Sequence, residues 1–471
     1  MIKQARFHSA AAGIALALSL AGCATMIPNY ERPAAPVAAA YPGAPAAPEP
    51  AGAAASDIEW QNYFGDERLK RLIDVALKNN RDLRVAVLNI EQARAQYQVR
   101  RADELPTVGI GATGLRQPNA SGGIASTYTA GLSVTAYELD FFGRVRSLRQ
   151  ATLAQYLGTE EARKNVQIAL ISSVANTYLN LLADDELLAV TRRALATREE
   201  SLNLTRLKFD AGAASELDYR QAESLFEGAR ATLAQLIRQR ALDENALVLL
   251  LGQALPADLP QGSSIASQKL ISELPVGLPS EVLARRPDVR QAEQQLIAAN
   301  ANIGAARAAF FPRITLTGSA GSASSELSGL FKSGSSAWSF MPQLLLPIFD
   351  SGRNQANLEV AELSRDIALA QYEKAIQTAF REVADTLAGR ATLGEQLRAQ
   401  EAQANAEAVR FRLADLRYRN GAASYLDVLD AQRALFAAQQ AVVQVQAAQV
   451  QNRVTLYKVL GGGWTASDKK P

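Results

Sequence analysis

Histidine and cysteine each occur once in 471 residues, as His8 and Cys23. Beyond Cys23 there is no imidazole and no thiol, which excludes metal sites built on those ligands and Ser-His or Cys-His nucleophile pairs. Methionine is scarce too, with three residues and no cluster, so nothing supports a role in metal efflux. Carboxylates remain formally available for catalysis, but no paired acids stand inside a binding motif. The Gly461-Gly462-Gly463 run lacks the Lys-Ser/Thr that follows a phosphate loop and reads as a helix terminus. An excess of one charge is also missing. With 49 basic against 47 acidic residues and no basic stripe, the chain lacks the electrostatic footprint of a nucleic-acid binder. These absences predict a protein that is not an enzyme, with no catalytic residues, no metal and no nucleic-acid partner.

The first long apolar run, Ala10 to Leu20, is too short to span a bilayer as a helix. Lys3 and Arg6 precede it and Leu20-Ala21-Gly22-Cys23 closes it, the arrangement of a bacterial lipoprotein export signal. Residues 1–22 are therefore expected to be removed as a signal peptide. Cys23 then becomes the lipidation site, carrying a diacylglyceryl group and an N-acyl chain such as palmitate as the only covalent addition, with no other cofactor. Ala24, rather than an aspartate, leaves that anchor free to reach the outer membrane. Removing Lys3 and Arg6 brings the basic count down to equal the 47 acidic residues. Residues 23–56 form a Pro/Ala-rich segment in which Pro28, Pro33, Pro36, Pro42, Pro45, Pro48 and Pro50 deny both helix and inner strand, predicting an extended tether.

The remainder repeats itself. Phe142-Gly143-Arg144 has a partner in Ser351-Gly352-Arg353, Gly212 to Asp218 in Gly421 to Asp427, and Leu251-Gly252 in Leu460-Gly461, all at one offset of 209 residues. An internal duplication with so long a period is not a solenoid. The first repeat is placed at 57–260, an equatorial linker at 261–279, the second repeat at 280–461 and a tail at 462–471. From Gly143 to Gly212 there is no proline, and Val174, Leu181, Leu188, Leu195, Leu202 and Phe209 recur every seventh residue as a coiled-coil seam. Val383, Leu397, Phe411 and Tyr418 hold equivalent positions in the second repeat. Each stretch predicts a helix of roughly 100 Å at 1.5 Å per residue. A Gly-Ala-Ala-Ser turn follows, and a shorter helix returns to Gly252 or Gly461. Leading helices are expected over about Arg68 to Glu104 and Pro287 to Ala309. Pro287 starts the second of these and Asp288 favours its N-terminus, while Arg285 and Arg286 are expected to bridge to neighbouring subunits.

After Pro106 and Pro312 the period changes to two. Val108 and Ile110, then Tyr128, Ala130, Leu132, Val134 and Ala136, alternate with glycine, serine and threonine, as Ile314 and Leu316 do with threonine, and Trp338, Phe340, Leu344 and Leu346 with Ser339 and Gln343. This predicts four strands of roughly ten residues in two hairpins, apolar on one face, the pattern of an outer-membrane barrel. Gln117 to Thr127 and Gly321 to Ala337 read as the hairpin loops, and Tyr128, Tyr137, Trp338 and Phe349 as strand-end aromatics. Four strands cannot close a barrel and an open edge cannot remain in hydrocarbon, so the chain is expected to oligomerise.

Several stretches carry a resemblance: Gly22-Cys23 with Ile27-Pro28-Asn29-Tyr30 and Arg32-Pro33; Glu138 to Arg144; Gly277-Leu278-Pro279-Ser280; Arg285 to Asp288; Ala308 to Pro312; and Leu429-Asp430-Ala431-Gln432-Arg433. Together they resemble the outer-membrane efflux factors of the OprM and TolC type, nearest the OprM branch, over nearly the whole mature chain. The resemblance implies a homotrimer, mainly α, whose 12-stranded outer-membrane β-barrel, four strands per chain, continues into a long periplasmic α-helical barrel. It also implies the role: a passive exit channel for drugs and other small molecules in a tripartite pump. The partners would be a periplasmic adaptor and an inner-membrane transporter of the resistance-nodulation-division class. The outlet of a type I protein-secretion system and a non-conducting envelope lipoprotein remain alternatives.

In that frame the turns Gly212, Ala213, Ala214, Ser215 and Gly421, Ala422, Ala423, Ser424 are the periplasmic tip and the expected adaptor contacts. Asp218 and Asp427 lie one helical turn inside it and Asp430 one turn further. Repeated around a trimer axis, such acids would form rings that attract cations and repel one another. By resemblance Asp430 is the best gate candidate, with Arg433 three residues on able to pair with it.

Overall fold

The structure, a computed structural model, describes residues 25–42, 54–120, 122–271, 274–276 and 279–464. Cys23 and the expected signal peptide lie outside the described residues. The elements follow in the order α1 (Trp60–Tyr63), α2 (Glu67–Asn79), α3 (Arg81–Ala102), β1 (Val108–Pro118), β2 (Ile124–Leu139), α4 (Arg144–Asp210) and α5 (Glu216–Leu251). The second series is α6 (Pro279–Arg285), α7 (Pro287–Ala308), β3 (Arg313–Ser324), β4 (Ser336–Leu345), α8 (Arg353–Arg419) and α9 (Tyr425–Val459). Both long helices, α4 and α8, have 67 residues. They lie between glycines at positive φ: Gly143 (74°) and Gly212 (71°) in one repeat, Gly352 (84°) and Gly421 (72°) in the other. A side chain there would be strained, which is why the duplicated landmarks are glycines. The leading helix expected over Arg68 to Glu104 is broken instead at Asn80, which leaves the helical region. Its side-chain oxygen accepts from the Leu83 N–H at 2.9 Å and its amide donates to the Leu250 carbonyl at 2.9 Å, so it caps α3 while tying it to α5.

The chain divides into two compact units, and neither is one repeat. One holds residues 25–34, 88–161 and 290–374; the other holds the remaining described residues.

The first unit contains the sheet, all antiparallel in the order β1-β2-β3-β4. The β2–β3 pairing joins the two hairpins. Its register puts Val108, Ile110, Leu132, Val134, Leu316, Phe340 and Trp338 on one face, and Thr113, Thr129, Ser133, Thr317, Ser319 and Ser339 on the other. The apolar face is exposed, with Ile110 at 86% and Trp338 at 79%. On the polar face hydroxyls pair across strands, Thr113 with Thr129 at 2.6 Å and Ser319 with Ser339 at 2.7 Å. The strands run into the expected loops, shortening them to 119–123 and 325–335. Tyr128 therefore lies inside β2, and Phe349 lies beyond β4. A bulge between Val134 and Tyr137 holds Ala136 at φ 53°.

The Glu138 carboxylate accepts from Arg144 and Arg313, each at 2.7 Å, and so joins the ends of β2 and β3 to the start of α4. The tether is pinned along α7. Arg32 makes two bonds of 2.7 Å to Glu293, and Asn300 donates to the Pro28 carbonyl at 2.9 Å.

In the second unit the Tyr63 and Tyr457 rings stack at 4.0 Å among Leu69, Leu72, Ile73, Val174, Leu179 and Leu251. Asp66 caps α2 through the Arg68 and Leu69 N–H groups and also accepts from Tyr178 (3.1 Å), Ser263 (3.1 Å) and Gln268 (2.9 Å). Burial pushes its carboxyl up, but these hydrogen bonds outweigh burial and hold it below the ordinary range. Arg286, expected to reach a neighbouring subunit, is buried within its own chain. It bonds Asp288 at 2.6 Å, Glu382 at 2.7 Å and the Val459 carbonyl at 2.9 Å, because a desolvated guanidinium needs acceptors at hand. The glycines after α9 end it as expected: Gly461 has φ 82°, and Gly462 N–H donates to the Tyr457 carbonyl at 2.9 Å. α4 is long and apolar enough to cross a membrane, but 61% of its apolar window is buried, so that character is used in packing.

Candidate functional site: the hairpin tips

Both tips lie in the second unit and are built alike. α4 ends where Ala213 N–H donates to the Lys208 carbonyl at 2.7 Å and Gly212 N–H to the Phe209 carbonyl at 2.9 Å. α8 ends the same way, Ala422 to Arg417 at 2.8 Å and Gly421 to Tyr418 at 3.0 Å. This double closure satisfies the orphan carbonyls of a helix end and requires the left-handed glycine. Ser215 then starts α5 with a capping box: its hydroxyl accepts from Asp218 N–H at 3.1 Å, and the Asp218 carboxylate accepts from Ser215 N–H at 3.3 Å and its hydroxyl at 2.7 Å. Ser424 and Asp427 repeat this at the start of α9, with bonds of 3.3, 3.2 and 3.0 Å. The Asp218 and Asp427 carboxylates are thus engaged by the turns themselves. Gly212, Ala213, Ser215, Gly421, Ala422 and Ser424 are exposed, while Ala214 and Ala423 are half-buried.

Asp430, one turn further along α9, bonds Arg433 at 2.6 Å, the pairing expected from its spacing. It also bonds Arg410 of α8, which in turn bonds Glu407 at 3.2 Å. Hydrogen bonds from Arg433 and Arg410 hold the Asp430 carboxyl below its ordinary range, so it is ionised at neutral pH and through mild acid. Subtracting the repeat offset leads to Ser201, Gln221 and Ser224 in place of Arg410, Asp430 and Arg433, so the charged set belongs to the second hairpin alone. In its stead Ser201 accepts from Gln432 at 3.1 Å, a bond from α9 to α4.

The tips pack through Ala222, Tyr425, Val428 and Leu429, with Leu202 and Phe411 against them. Lys208 crosses between hairpins, donating to the Tyr418 hydroxyl at 2.9 Å. Two residue sets were missed by sequence reasoning. Arg410 gave no signal, because it meets Asp430 only after the chain reverses at Gly421. The exposed leucines Leu207 (68%) and Leu217 (67%) did: they match exposed Leu416 and Leu426 at the same offset.

Among the described residues no group of three or more metal-binding side chains occurs. Comparison with known proteins agrees with a channel. The family model for outer membrane efflux proteins matches residues 72–253 and 278–462, once per repeat. The solvent efflux pump outer membrane protein SrpC of Pseudomonas putida is 50% identical over 460 residues, 96% of this chain and 97% of SrpC. The outer membrane protein OprJ of Pseudomonas aeruginosa is 48% identical over 456 residues, 95% of each chain. The open-state crystal structure of the Neisseria gonorrhoeae MtrE outer membrane channel superposes with a TM-score of 0.86 at 43% identity, covering 94% of this chain and 99% of MtrE. A duplicated helical hairpin, an exposed-face sheet shared between the repeats and these likenesses lead to one assignment: the chain belongs to the outer membrane efflux protein family.

Proposed function

We propose that the chain is one protomer of a homotrimeric exit channel, anchored by lipid at Cys23 and docked by its tips onto a periplasmic adaptor that links it to an inner-membrane resistance-nodulation-division transporter. The observation that carries the reading is the sheet. It has four strands and an exposed apolar face, and among the described residues neither β1 nor β4 has a second pairing partner. In hydrocarbon such edges must be closed by other copies, and three copies leave room for an aqueous bore lined by the threonine and serine face. The names of relatives such as SrpC support a cargo of solvents and antibiotics. Transport is passive, since no energy-coupling motif accompanies the duct.

The small turns and flanking leucines suit close docking of a helical partner, and we assign them to the adaptor. The Arg410–Asp430–Arg433 cluster is the proposed gate lock, with the capping carboxylates of Asp218 and Asp427 adding negative charge at the entrance. A strain lacking its own exit duct, given this chain with a transporter and adaptor of the associated kind, is expected to accumulate less of a fluorescent efflux substrate than with an empty vector. Unchanged accumulation, with the chain verified in the outer membrane and each transporter and adaptor pair shown active with its own duct, would count against the assignment. In planar bilayers Asp430→Ala with Arg433→Ala should raise conductance several-fold, and Arg410→Ala should do so alone. Unaltered conductance in both would remove the lock.

A further inference from the structure

Away from the tips, Asp184 of α4 is only 6% exposed and its Oδ2 has no hydrogen-bond donor. With Asp243 of α5 it lines an open groove of about 330 Å³ whose third side is α9. The two carboxyls are within hydrogen-bonding reach of each other. Cations are short here. Arg240 is already committed to Asp185 at 2.6 Å and Glu244 at 2.7 Å. Gln239 gives Asp243 one neutral donor at 3.2 Å, and α9 presents only Gln444, Ala447, Ala448 and Gln451. The charged groups around the pair are therefore Asp185, Glu244 and the engaged Arg240. A buried carboxylate in contact with a second, half-buried one, without a cation of its own, cannot remain ionised at low energetic cost.

We propose that Asp184 and Asp243 share one proton, and that this pair is a pH-sensitive joint whose deprotonation drives α4 apart from α5 and α9. Burial, followed by the Asp243 and Asp185 carboxylates, pushes Asp184 up to about 7, which agrees with the geometry. The sign follows. An acid raised in the folded state holds its proton there while the unfolded chain has lost it, so stability falls as pH rises from about 4 towards 7 and stays lower above. Asp184→Asn keeps the shape, supplies an amide donor to Asp243 and removes the titration.

The test uses the full-length protein in detergent micelles. Infrared spectra should show a protonated-carboxyl band in acid that disappears as the pH passes neutrality, and it should be absent from Asp184→Asn. Amide exchange across 180–188 and 239–244, corrected for intrinsic rates, should rise several-fold between about pH 6 and pH 8 in the parent chain and stay level in Asp184→Asn and Asp243→Asn. Three results would overturn the proposal: no such band at about pH 6, a band seen only after chelation, which would assign the pair to a bound cation, or exchange in the parent chain that ignores pH.

Discussion

Cells carrying the Gly421→Trp chain are expected to accumulate an efflux substrate to the level of cells with no exit duct. The residue sits at the apex of a turn with φ 72°, and a Cβ there would meet nothing within 4 Å in the isolated protomer. Open space at that Cβ means that, beyond the backbone strain, what the ring would fill is the approach of a partner. An interface built on close backbone contact has no room for an indole at its centre, and the loss of a central docking contact is worth about 2–4 kcal/mol, or roughly 30- to 1,000-fold in occupancy. Positive φ adds about 1–2 kcal/mol of strain for any L-residue. Gly421→Ala carries the same strain with almost no bulk and separates the two effects. Retained efflux in the alanine chain with loss in the tryptophan chain identifies docking; equal loss in both assigns the defect to the turn. Gly212→Trp should behave alike, since its turn has the same bonds. Full efflux from both tryptophan chains, properly assembled, would take the tips out of the adaptor contact.

What could be read from the sequence was whatever is local or repeated. Each landmark glycine marks a helix end because left-handed backbone is a one-residue requirement, and the 209-residue offset doubled the signal. The reciprocal bonds of Asp218 and Asp427 with Ser215 and Ser424 were not foreseen, because those acids were read as rings at the entrance. The break at Asn80 was hidden because helical periodicity continues across it and its reason, the Leu250 carbonyl, lies 170 residues away. Arg286 was read as outward-facing because nothing near it in sequence announces Glu382 or the Val459 carbonyl. Arg410 was silent for the same cause. The division into compact units was also out of reach: β2 pairs with β3 across the repeat boundary, so the halves of the duplication are not the halves of the fold.

That cross-repeat pairing leads to the second large effect. Gly131 of β2 lies directly opposite Gly321 of β3, and Gly111 of β1 lies on the other side of Gly131. A Cβ on Gly131 would stand 2.4 Å from the Ala320 carbonyl oxygen, and one on Gly321 would stand 2.2 Å from that of Ala130. Both obstacles are backbone, which cannot swing aside as a side chain can. A Cβ on Gly111 meets nothing within 4 Å. Gly321→Val should therefore force β3 away from β2, with an overpacking penalty of about 1–3 kcal/mol or more before any hydrogen bond is lost. In hydrocarbon each ladder bond broken leaves polar groups with no water to receive them, so the two hairpins cannot separate partway and still insert. Gly131→Val and Gly321→Val are expected to abolish heat-resistant oligomers in outer-membrane fractions on semi-native gels, while Gly111→Val, with the same side chain in the same membrane, leaves them intact. If Gly321→Val assembled as well as Gly111→Val, the close approach of β2 and β3 would not be what holds the two repeats in one sheet.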